Sequence, residues 1–349
     1  MVRHTPSDLQ PALIIAAGCV AAMQVGKIPP ALPWLQVELG LSLLQSGFLL
    51  SAVQGSGMAL GLLLGLWVDS LGLRRSMWTG LMLLSAGSAM GAISGSFSAN
   101  ATVSLLLASR LIEGLGFLMT VLPGPGLLRR SVDEQRLAPY LGYWGTYMPI
   151  GMSSALLAGP FWLQRASWSS WWLLFSIICA CMALAVGRTL APDPDPRGGV
   201  INWSGMLGRV RLTLGSGGPW LIAVMFGVYS AQWLSVVGFL PTIYADAGVQ
   251  GALLAVLTAL AAAVNLVGNV MSGRLLQKGW SERRTLWTGY GFMGLGSVLA
   301  FAEATESLPW LRYGGVLLFS CLGGLIPGTL FSLSVRLAPA PHLVASTVG

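Results

Sequence analysis

The chain reads as an all-α polytopic membrane protein made of two similar helical bundles, and three observations lead there. Of its 349 residues, 54% are hydrophobic and 9% charged, with a mean hydropathy of +0.73. A soluble domain carries about 25% charged residues, so this chain could not cover a water-facing surface. Apolar runs near 20 residues recur along it, the length a helix needs to cross ~30 Å of hydrocarbon. Finally, RRSMWTGLMLLSAGS (Arg74 to Ser88) returns as RRTLWTGYGFMGLGS (Arg283 to Ser297), sharing RR, WTG and GS at an offset of 209 residues. Duplicated halves in a polytopic protein point to transport.

Ten apolar runs are expected as helices. They lie near Ala12–Leu35, Gly47–Val68, Ser76–Phe97, Thr102–Leu128, Leu137–Trp162, Trp168–Leu190, Trp220–Ile243, Ala252–Leu276, Thr285–Ala304 and Tyr313–Leu337. Short connections between them demand antiparallel neighbours. Residues 1–190 are expected as one six-helix bundle and 220–349 as the second. The stretch 191–219, opening PDPDPRGG, has the Pro, Gly and charge content of a linker. The 46 glycines suit helices that approach closely in lipid. Pro123, Pro125, Pro149 and Pro327 fall inside runs, where prolines mark hinges or tolerated kinks. Cys19, Cys179, Cys181 and Cys321 all lie within apolar runs without metal-ligand spacing, so buried free thiols are expected. The first run is too long for a signal peptide and has no clear cleavage site.

Charge placement orders these runs. The net charge of +7 would suggest nucleic acid as partner for a soluble protein, but here the charges fall in loops. With a cytoplasmic N-terminus, one side holds Arg3, Arg74, Arg75, Arg129, Arg130, Arg136, Arg188, Arg197, Arg209, Arg211, Arg274, Lys278, Arg283, Arg284 and Arg336. The other side holds only Arg165 and Arg312, while Lys27 and Arg110 fall within runs. This asymmetry is the positive-inside pattern of a cell (inner) membrane protein. Trp34, Trp162, Trp168, Trp220 and Trp310 lie near run ends, as interfacial tryptophans do. The repeat also sets an expected length. The sixth run ends near Leu190, so its counterpart falls about 50 residues past Gly349 on the logic of such folds. The expectation is a twelve-helix design with ten helices present, HLVASTVG opening an eleventh.

These segments together resemble the major facilitator superfamily. ALPWLQVELGLS (Ala31 to Ser42) is similar to that family's first-helix exit, and GLWVDSLGLRR (Gly65 to Arg75) to its signature loop between helices two and three. RLIEGLG (Arg110 to Gly116) resembles its fourth-helix motif, and DEQRLAPYLGYWGTYMPIG (Asp133 to Gly151) its fourth loop and fifth helix. The signature loop departs from pattern at Trp67, Ser70 and Leu73, and its second copy has Lys278 at the aspartate's place. The resemblance implies a cytoplasmic gate formed by Gly65, Asp69, Gly72, Arg74, Arg75, Arg136, Arg283 and Arg284, latching the halves when the protein faces outward. A solvated loop that only sets orientation is the alternative.

Charged residues inside a membrane are costly and face a cavity or each other. Arg110 and Glu113 stand three apart and so share a helix face. They read either as a proton-coupling or solute-contacting pair or as a permanent fold-stabilising couple. Lys27 reads as a cationic contact for an anionic solute or as a lysine snorkelling to the outer interface. Gln54, Trp144, Tyr147, Tyr229, Gln232, Asn265 and Asn269 are polar or aromatic handles that line a path or bond neighbouring helices. The leading function is secondary active transport by alternating access, moving a polar or anionic organic solute with proton coupling. Export of hydrophobic compounds, or a non-transporting remnant, is the alternative. No P-loop is present, and only His4 and His342 are histidines, outside the runs. Enzyme chemistry, metal, cofactor and nucleic acid are therefore not expected. A small-molecule solute, protons and the bilayer are the expected partners of a monomer.

Overall fold

A computed structural model describes residues 9–193, 203–249, 251–340, 343, 344 and 347. Helices cover all ten apolar runs. They are α1 (Leu9–Gly26), α2 (Ile28–Leu39), α3 (Leu43–Leu71), α4 (Leu73–Ser94), α5 (Ala99–Val121), α6 (Gly124–Ser131), α7 (Glu134–Trp144), α8 (Tyr147–Leu163) and α9 (Trp168–Thr189). After α10 (Trp203–Leu214) come α11 (Gly217–Asp246), α12 (Gly251–Ala263), α13 (Asn265–Gln277), α14 (Glu282–Phe301), α15 (Pro309–Gly323) and α16 (Leu325–Leu337). Among the described residues, seven segments are long and apolar enough to cross a bilayer: 9–39, 73–94, 99–131, 168–189, 217–237, 251–277 and 309–337. Within the stretch expected as a linker, residues 203–214 form α10.

Five runs break into two helices, and four of the breaks carry prolines in the turn that follows. Pro29 and Pro30 open α2, Pro123 and Pro125 open α6, Pro149 sits in the first turn of α8 and Pro327 in that of α16. Proline lacks an N–H and is best tolerated in a helix's first turn, so each of these marks where the ladder restarts, whereas Pro33, Pro139 and Pro160 lie inside α2, α7 and α8. The break between α12 and α13, at Val264, has none.

Within the first half, α4 packs most closely on α5 and α9, α1 on α8, and α3 on α5. In the second half, α14 packs on α15 and α13 on α16. The halves meet where α8 faces α12 and, more extensively, where α7 faces α13 at the arginine-rich end. That seam is backbone against backbone. A Cβ at Gly142 would lie 2.7 Å from the Asn269 carbonyl, and one at Gly273 would lie 2.5 Å from the Ala138 carbonyl. Small residues at such crossings let helices approach where lipid gives no hydrophobic drive.

Among the tryptophans, Trp220 and Trp310 are exposed near helix starts, and Trp34 is exposed within α2. Trp168 is buried instead, its indole N–H donating to Glu38 Oε2 at 2.8 Å. The four cysteines are free; Cys179 is buried, Cys19 and Cys321 are half-buried, and Cys181 is exposed.

Candidate functional site

The proline pair after Lys27 prepares the site. Pro29 and Pro30 lack the N–H groups that would bond the Val25 and Gly26 carbonyls, so α1's ladder breaks beside Lys27. The Gln24 carbonyl accepts from Arg110 Nη1 at 3.0 Å, and the Lys27 carbonyl accepts from Trp171 Nε1 at 3.0 Å. Lys27 does not reach an interface. It is fully buried, and its Nζ lies 2.5 Å from Glu113 Oε1, 2.6 Å from Gln24 Oε1 and 2.9 Å from Ser88 Oγ. The same ammonium sits 5.1 Å from the Trp172 ring centroid and 5.7 Å from that of Phe175, within cation–π range.

Arg110 pairs with the other oxygen of Glu113, as their spacing predicts, and its Nε donates to the Leu49 carbonyl at 3.3 Å. The Ser88 hydroxyl donates to Glu113 Oε1 at 2.8 Å, and Gln24 Nε2 points at Cys179 Sγ, 3.1 Å away. Four first-half helices (α1, α4, α5 and α9) thus close around one carboxylate shared by two cations, all three groups fully buried. Arg110 Nη2 is buried with no hydrogen-bond partner. A buried donor left unpaired is costly, and a buried excess of positive charge more so. Chemically, a carboxylate shared by two cations leaves the cluster with an excess of positive charge that favours an anion. Spacing along the chain gave Arg110 and Glu113. It missed Gln24, Ser88, Trp171 and Trp172, although Gln24 stands three residues before Lys27 and Ser88 closes the repeated GS.

The aromatic candidates gather elsewhere, at the junction of the halves. Trp144 and Tyr147 lie 4.9 Å apart by ring centroid, and Phe331 stands 6.5 Å from Trp144 and 6.4 Å from Tyr147. Phe226 joins Phe331 at 5.9 Å and Tyr229 at 6.0 Å. Tyr229 donates to Asn265 Oδ1 at 3.3 Å, and Asn269 Nδ2 donates to the same oxygen at 2.9 Å. Asn265 in turn donates to the Ser320 carbonyl at 2.8 Å. Two buried polar atoms here have no partner, Trp144 Nε1 and Asn269 Oδ1. Trp144 packs against Gly18 of α1, nine residues before Lys27, so this layer lies roughly 13 Å along α1 from the charged cluster. Gln54 and Gln232 are brought to neither group; they are exposed on α3 and α11.

At the arginine-rich end, the turn between α3 and α4 needs Gly72. Its φ is +103°, and a Cβ there would lie 2.5 Å from Asp193 Oδ2. Asp193, read as linker from its sequence, accepts from the backbone N–H groups of Arg74 at 3.1 Å and Arg75 at 3.0 Å and pairs with Arg130 at 3.2 Å. A carboxylate on a helix's first N–H groups is a remote N-terminal cap. Arg74 donates to the Gly187 carbonyl at the end of α9. Gly65 is buried in α3, and Asp69 ends the same helix, its side chain outside the described residues. Arg136 donates to Tyr140 Oη at 3.0 Å, and Arg284 lies 3.9 Å above the Trp280 ring, while Arg283 is exposed. Among the described residues no His, Cys, Asp and Glu cluster could hold a metal ion.

Comparison with known proteins agrees with this architecture. The cyanate transport protein CynX of Escherichia coli (strain K12) is 25% identical over 243 residues, 66% of this chain and 58% of that protein. The chain therefore aligns with less than two thirds of that relative. Among solved structures, the proton:xylose symporter XylE bound to 6-bromo-6-deoxy-D-glucose superposes with a TM-score of 0.73 at 13% identity. It matches 97% of this chain and 86% of that one. FucP in its outward conformation gives 0.67 at 17% identity, over 97% and 87%. At these identities the two structures establish the fold. The sequence profile of the Major Facilitator Superfamily matches residues 14–349, so this multi-pass membrane protein belongs to that family of transporters.

Proposed function

We propose that the chain moves a small polar or anionic organic solute across the cell membrane by alternating access, coupled to protons through Glu113. The observation that carries this reading is the buried cluster in which Lys27 and Arg110 share one carboxylate and Arg110 keeps an unpartnered N–H2. Such a site favours a small anion, and similarity to a cyanate transport protein supports the same class of solute. Protonating Glu113 would leave two buried cations without a counter-charge, so proton and anion occupancy are linked by electrostatics. The aromatic layer of Trp144, Tyr147 and Tyr229, with Asn265, forms the wall between bundles that the solute passes.

In this reading residues 1–190 and 220–349 are the two moving bundles, joined through 191–219, and the chain makes ten passes as a monomer. The N-terminus and the arginine-rich end are cytoplasmic, which the fifteen-to-two charge asymmetry supports. The close α7–α13 seam at that end is what an outward-facing state requires, and Gly65, Asp69, Gly72, Arg74, Arg75, Arg136, Arg283 and Arg284 are proposed as its gate.

The test is transport in proteoliposomes. Glu113→Gln should abolish uptake driven by a pH gradient while anion exchange persists. Unchanged gradient-driven uptake would remove Glu113 from coupling. Lys27→Ala should abolish anion uptake in cells without loss of surface expression. The competing role, a permanent fold-stabilising couple, is favoured by how completely Lys27, Arg110 and Ser88 enclose the carboxylate. In that case both variants would lose stability and leave coupling intact in whatever protein survives.

A further inference from the structure

On the outer face of the first half, where α4 begins and α9 ends, a cleft of about 280 Å³ is lined by Arg74, Arg75, Trp78 and Gly187. Arg74 leans into the helix pair and donates to the Gly187 carbonyl, yet its Nε is buried with no partner. Arg75 is exposed beside it, and Arg188, next to Gly187, is exposed too. The local carboxylate, Asp193, is engaged by the two backbone N–H groups and by Arg130. Trp78 is 43% exposed and packs on Gly187, where a Cβ would lie 3.2 Å from the indole. Beyond it, Met82 on α4 and Leu184, Ile177 and Leu173 on α9 continue as an exposed apolar track.

Cationic end, tryptophan boundary and apolar track stand in the order of a phospholipid's phosphate, glycerol and acyl chains. Basic pockets between transmembrane helices take anionic headgroups, and a planar guanidinium suits a phosphate diester. The repeat supplies a contrast: Trp287, the counterpart of Trp78, is 70% exposed, and Arg284 is occupied by the Trp280 ring. We propose that this α4–α9 cleft is a binding site for one anionic phospholipid, its phosphate on Arg74 and Arg75 and its chains along Trp78, Met82 and Leu184.

Native mass spectrometry of the purified full chain, titrated with phosphatidylglycerol, cardiolipin or phosphatidylcholine, tests this. The two anionic lipids should be retained in preference to phosphatidylcholine, and Arg75→Gln should weaken that retention about fivefold. Arg75→Gln keeps the backbone N–H that Asp193 accepts from, so folding is preserved. Trp78→Ala, which removes the track but no charge, should weaken it as well, and Arg284→Gln should not. Equal retention of phosphatidylcholine, or unchanged retention in both cleft variants, would overturn the site. Displacement of phosphatidylglycerol by millimolar inorganic phosphate, with Trp78→Ala silent, would assign the cleft to free phosphate instead.

Discussion

The two halves share a skeleton and differ in what they bury. At the repeat offset, α4 begins at Leu73 and α14 at Glu282, again 209 residues apart. The shared glycines meet a neighbouring helix in both. A Cβ at Gly87 would lie 3.1 Å from the Ser109 carbonyl, and one at its counterpart Gly296 would lie 2.6 Å from the Gly315 carbonyl. The interior chemistry then diverges. The offset places Val236, Phe319 and Leu322 opposite Lys27, Arg110 and Glu113. The polar core of the second half is neutral instead, with Trp233 donating to Ser320 Oγ at 3.2 Å beside Asn265 and Asn269. The caps diverge too, since α14 is capped locally by Ser281 and α4 remotely by Asp193. The helix crossings are thus alike in the two halves while the interiors differ, with the buried charges of Lys27, Arg110 and Glu113 in the first.

The sharpest way to break that comparison is to unbalance both interiors. Glu113→Ala strands two buried cations and should cost about 3–5 kcal/mol of stability. Asn265→Ala strands only neutral groups and should cost about 1–3 kcal/mol. Thermal melts of the two variants in one detergent rank them, and equal losses would erase the distinction between charged and neutral cores. Next comes the seam. Gly142→Leu overpacks α7 against α13 and should cost about 1–3 kcal/mol. It should also raise thiol labelling of a cysteine placed at the arginine-rich end. Unaltered labelling would mean that the seam does not close that end.

The caps give smaller effects. Asp193→Ala should cost about 1–2 kcal/mol, since a cap and the Arg130 partner are lost together. Ser281→Ala, a local cap, should cost about 1 kcal/mol or less. The smallest effect belongs to Arg336→Gln, which removes an exposed pair with Glu282 and should change melting by no more than about 0.5 kcal/mol. A loss from Ser281→Ala that exceeded that from Asp193→Ala would reverse the contrast between remote and local capping.

The helical architecture was legible because bilayer thickness fixes run length and the repeat fixes register. The Arg110–Glu113 pair was legible because three residues on a helix are neighbours. Lys27 was legible as a candidate but not as the third member of that cluster, since Glu113, Ser88 and Trp172 are distant from it in sequence and a lysine beside two prolines reads equally well as an interfacial one. Asp193 was hidden in a run of prolines and acids that composition assigns to a linker. The α10 helix was hidden for the same reason, because one helical segment among arginines and glycines lacks the apolar density of a span.

The α7–α13 seam has one further consequence. Gly142 and Gly273 bring backbone to backbone, so little side-chain freedom is lost when the surfaces meet. Ordering a long side chain costs up to about 2 kcal/mol in lost rotamers, and glycine loses none. A contact built this way is nearly free of side-chain entropy in either direction. In the alternating-access cycle proposed above, it docks and parts at little rotamer cost.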